Sequence, residues 1–131
     1  MNYLFVALGS ALGGVLRFWV STVFERRLGE TFPWGTIFIN VTGSFVIGLC
    51  FSLAGVDGKP LLGSSARAFT LVGVLGGYTT FSSFSLQTLN LAREGDWLRA
   101  GGNAVGSLVV CLVAVFLGHL AAAALNPAKG P

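Results

Sequence analysis

Charge is excluded from most of this chain and gathered into short joins. Residues 31–56, 68–92 and 100–128 contain no Asp, Glu, Lys or Arg, and residues 3–24 contain only Arg17. Crossing the hydrocarbon of a bilayer takes about 20 mostly apolar residues, so each run is long enough to span. The pattern predicts an all-α membrane protein of a single domain, with four transmembrane helices at about 3–24, 33–54, 66–92 and 100–124. Composition agrees, since only 10% of residues are charged where soluble domains carry about 25%.

The joins hold Glu25, Arg26, Arg27 and Glu30, then Asp57, Lys59 and Arg67, then Arg93, Glu94, Asp96 and Arg99. Gly55, Gly58 and Pro60 suit a turn, and Pro33 with Trp34 suits a helix entry at the interface. The net charge of +3 forms no basic stripe, so nucleic acid is not an expected partner. The opening MNYLFVALGS lacks a cationic flank and reads as membrane sequence rather than a cleaved leader. Orientation follows Lys and Arg in the loops. Lys59, Arg67 and Lys129 fall on one side, and Arg26, Arg27, Arg93 and Arg99 on the other. A bias of one charge leaves two readings open: a bundle with one orientation, or insertion both ways with an antiparallel homodimer.

The third run contains GVLGGYTTFSSF, residues 73–84. Glycines and hydroxyls so dense inside a span predict irregular backbone, which is tolerated at membrane depth only beside protein or a polar cavity. We expect Gly73–Thr79 to break the helix and Thr80–Phe84 to face a site. Glycines four apart (Gly9 and Gly13, Gly73 and Gly77, Gly102 and Gly106) predict close helix packing.

A few polar residues inside the spans need a reason. Arg17 suits a structural or vestibule role at its helix end. The Asn40 amide can bridge helices or donate to an anion. Phe81 and Phe84, three apart, share a helical face, as do Thr80 and Ser83. A phenyl edge carries the positive part of its quadrupole, so this pair can face an anion without adding charge. Gln87 could extend the polar line, with Ser107, Cys111 and Asn103 as an opposite wall. Cys50 and Cys111 read as small buried thiols, and His119 as a satisfied or interfacial residue. No nucleophile with its base, no paired intramembrane carboxylate and no nucleotide loop is present, so an enzyme is not expected.

The blocks GSALGGVLRFWV, WGTIFINVTGSFVIG and GVLGGYTTFSSFS resemble those of the Fluc or CrcB fluoride channels over all four spans. That resemblance implies passive, fluoride-specific export that gives fluoride resistance, through a dual-topology antiparallel homodimer with two pores in the cell inner membrane. It implies a broken third helix and pores lined by Asn40, Phe81, Phe84, Thr80, Ser83 and Ser107, with Arg17 in the first span. It further implies a structural Na+ at the dimer interface, held by the backbone carbonyls of Gly76 and Thr79. Gln87, Cys111 and Asn103 depart from the pattern, where many relatives carry a glutamate, a hydroxyl and in some cases an aromatic. The competing readings are a small dual-topology multidrug/proton antiporter, which would need a titratable group in the membrane although this chain has no acid in its first span before Glu25, and a structural membrane subunit.

Overall fold

The computed structural model describes residues 2–54 and 62–125. The turn read at Gly55, Gly58 and Pro60, together with Asp57, Lys59 and Lys129, lies outside the described residues. The described residues are almost all helical. Helix α1 is Asn2–Leu28 and α2 is Trp34–Ala54. Helix α3 begins as Ser64–Arg67, widens into π-type turns over Ala68–Leu75 and ends as Gly76–Tyr78. After two extended residues come α4, Phe81–Arg93, and α5, Trp97–Leu125. Three of these, α1, α2 and α5, are long and apolar enough to cross a membrane.

Helix ends follow local chemistry. Gly29 and Gly95 adopt φ of 77° and 81°, a region costly for any residue with a Cβ. Beyond α4, Asp96 N–H donates to Leu91 O at 3.0 Å, which closes the end around Gly95. Asp96 then starts α5 by accepting from Arg99 N–H at 3.1 Å.

The two most extensive packings are α1 against α3 and α2 against α5. In lipid no hydrophobic drive pulls helices together, so close approach is won by small residues. A Cβ on Gly9 would stand 2.9 Å from Gly73 Cα, and one on Gly77 would stand 2.9 Å from Ser10 Cα. Gly48 and Gly118 seat α2 and α5 on each other's backbone in the same way. The expected glycine pairs of α1 and α3 are therefore packing surfaces. Gly102 and Gly106 meet no neighbour within the protomer, where nothing lies within 4 Å of a Cβ at either.

Val20, Ile39 and Tyr78 form a small core where α1, α2 and α3 meet. Outside it, apolar side chains such as Leu12, Phe18, Trp19, Leu112 and Phe116 are exposed. This inside-out distribution fits a multi-pass membrane protein, whose outer surface is solvated by lipid.

Candidate functional site at the helix break

The break lies at Thr79 and Thr80, at the very end of the predicted Gly73–Thr79 stretch and one residue past it. Both are extended, with φ/ψ of −77°/156° and −152°/114°, whereas Gly73, Gly76 and Gly77 are helical. Gly73 and Gly77 serve contact with α1, and they do not themselves break the helix.

Three side chains take up the polar groups that the break exposes. Asn40 on α2 donates from Nδ2 to Thr80 O at 3.0 Å and accepts from Thr80 N–H at 2.8 Å. An extended residue turns its N–H and C=O to the same side, so one amide can meet both, as a neighbouring strand would. Thr80 caps α4, its Oγ1 accepting from Ser83 N–H at 3.1 Å and donating to Ser83 Oγ at 3.0 Å. Arg17 on α1 reaches inward and donates to Thr79 O at 3.4 Å.

These bonds redirect the helical ladder. In an unbroken helix, Gly76 O would accept from Thr80 N–H, and Thr79 O from Ser83 N–H. Both donors are committed to side chains, so both carbonyls lose their helical partners. Gly76 is exposed and has nothing within 4 Å of a Cβ position, so the space beside it is open.

A mostly apolar cavity of about 520 Å³ opens on the break, lined by Asn40, Gly76, Thr79, Thr80, Phe81, Phe84, Ser107 and Cys111. The Phe81 and Phe84 rings lie 5.2 Å apart, inclined at 46°, and Phe81 is 78% exposed on the protomer. Ser83, expected on the same track, does not line the cavity. Thr80 is buried at 7% and Ser107 at 6%, and each spends its hydroxyl proton inside the protein. Ser107 donates to Asn103 Oδ1 at 3.2 Å, Asn103 Nδ2 to Thr88 Oγ1 at 2.8 Å, and Thr88 to Phe84 O at 2.8 Å. Asn103, 1% exposed, is thus the hub that joins α5 to α4 behind the phenylalanines. The sequence offered it only as part of the wall opposite the third run, one turn before Ser107.

Gln87 lies apart from this cavity. It lines a second, polar one of about 580 Å³ between the ends of α1 and α4 and the start of α2, with Glu25, Glu30 and Glu94. Its Oε1 is buried without a partner among the described residues. His119 is satisfied by Ser52, at 2.8 Å from Nδ1. Cys50 and Cys111 are free and half-buried, not deeply buried as expected, because neither α2 nor α5 is covered on all sides.

The family profile described as "CrcB-like protein, Camphor Resistance (CrcB)" matches residues 4–119. The chain belongs to the CrcB family. It is 62% identical over 128 residues to the fluoride-specific ion channel FluC of Opitutus terrae, covering 98% of this chain and 97% of that protein. It is 56% identical to proteins of the same name from Methylocella silvestris, over 99% of both chains, and from Paramagnetospirillum magneticum, over 96% of this chain and 98% of that one. The break, its clamps and the phenylalanine pair all lie within the matched region.

Proposed function

We propose that the chain is a fluoride-specific channel that lets fluoride leave the cell passively across the inner membrane, giving fluoride resistance. One observation carries this reading: a helix broken inside an apolar bundle, opening on a cavity walled by Phe81 and Phe84. Continuous helices would satisfy their own backbone, and a structural subunit would have no use for the interruption.

Helices α3 and α4 together form the third of four crossings, and the working unit is an antiparallel homodimer of dual topology. The exposure of Phe81 supports this, since a partner would complete the wall that one protomer leaves open. An anion entering the cavity loses water, at a cost of tens of kcal/mol on the scale of ~20 or more if nothing replaces it. The replacements at the cavity wall are the phenyl edges and the remaining Nδ2 proton of Asn40. The hydroxyls of Thr80, Ser107 and, off the wall, Ser83 join them only by turning from their internal partners. Each contact is neutral, which suits an ion that must leave as readily as it enters.

The carbonyls of Gly76 and Thr79, deprived of helical donors, fit a hard monovalent cation such as Na+. There they would hold a structural ion at the dimer interface. Such an ion supplies positive charge to the break, and shares the Thr79 carbonyl with Arg17, which donates to it at 3.4 Å. Proton-coupled antiport is disfavoured, because the membrane part of α1 carries no acid before Glu25.

Liposomes containing the purified protein test the reading. Prompt fluoride release without chloride release is expected. Comparable chloride passage, or no fluoride flux, would overturn it.

A further inference from the structure

We infer that Asn40 is a positioning residue, and that by holding both backbone groups of Thr80 its amide keeps the Gly76 carbonyl free and so sets the cation affinity of the break. The inference rests on the cation reading of Gly76 and Thr79 given above and assigns a residue to control it.

Hydrogen-bond accounting leads to this role. Thr80 N–H has two alternative acceptors, exchanged by turning Thr79 from its extended ψ of 156° to a helical one. One is Gly76 O, its partner in a continuous helix; the other is Asn40 Oδ1, which holds it at 2.8 Å. The second arm of the amide takes Thr80 O at 3.0 Å, so the residue is gripped at both ends and kept extended. Helix α2 is brought close enough for this by Gly43, one turn further on, where a Cβ would run into the Thr79 side chain. No other side chain bonds the backbone of Thr80 among the described residues. Without the amide, the cheapest repair for a buried N–H is to return to Gly76 O. That carbonyl would then be closed to a cation, although Asn40 itself need never touch one. A residue whose only task was to contact the anion would leave the cation response unchanged.

The test is thermal unfolding of the full-length protein in detergent, titrated with NaCl against N-methylglucamine chloride at constant ionic strength. Sodium should raise the wild-type Tm. In Asn40→Ala the half-maximal sodium concentration should rise about tenfold or more, the scale of one net hydrogen bond. A wild type indifferent to sodium overturns the cation reading and this inference with it. A wild type that responds, beside an Asn40→Ala protein with the same midpoint, overturns the inference alone. Should Asn40→Ala fail to fold, Asn40→Asp decides the matter. Its carboxylate still accepts from Thr80 N–H, so Gly76 O stays free and the sodium midpoint should not rise above wild type. A tenfold rise in Asn40→Asp would overturn the inference.

Discussion

Single residues at the break carry more than one task, and their tasks are set by which protons are already spent. Asn40 read from sequence was either a helix bridge or an anion donor. In the structure both amide atoms meet Thr80, and one proton remains for the cavity. Phe81 has no such divided role. It is 78% exposed at the first turn of α4, tilted against Phe84, and makes no hydrogen bond to replace. Phe81→Ile keeps the apolar bulk but removes the ring edge. Fluoride efflux from liposomes should fall by about two orders of magnitude, the flux equivalent of losing ~2–3 kcal/mol of electrostatic support, with helix content by circular dichroism unchanged. Retained flux would remove Phe81 from the pathway. Asn103 could not have been weighted this way beforehand, because its importance comes from burial against Thr88 and Ser107, and burial is a property of the fold.

Among elements, the long helices were legible because a membrane leaves little choice: about 20 uncharged residues span or do not fold. The glycine spacing in α1 and α3 was equally legible, since backbones can approach this closely only where Cβ atoms are missing. The location of the break was not. Glycines carry the intrinsic cost, but the chain leaves the helix at Thr79 and Thr80, where Asn40 and the Thr80 cap offer the backbone better partners than its own ladder. That competition depends on α2 lying alongside, which no local pattern in the third run encodes. Ser83 is a further case, its N–H drawn into the cap and its side chain off the cavity wall. The packing account separates two glycines of one helix. Gly9→Ala would push α1 away from Gly73 and should destabilise by about 1–3 kcal/mol, whereas Gly14, with nothing within 4 Å, should accept Ala with a change under about 1 kcal/mol. Unfolding in mixed detergent, followed by circular dichroism, measures both. Equal effects would refute the close-contact explanation.

For the whole molecule, the proposed four crossings put three loop cations on one side and four on the other, which barely distinguishes one orientation from its reverse. Single cysteines placed in the first and last joins of a Cys50→Ser, Cys111→Ser background should each label from both faces of the membrane to similar extents. Labelling from one face alone would exclude an antiparallel assembly of this chain with itself. The open side of the cavity, where Phe81 looks outward, has a bearing on safety as well as on assembly. A protomer inserted without its partner presents only half a wall, which lipid can cover and along which no stripped ion finds a continuous line of contacts. If the proposed antiparallel assembly holds, newly made or orphaned chains are silent, and a cell can stock both orientations in its membrane without being punctured by either.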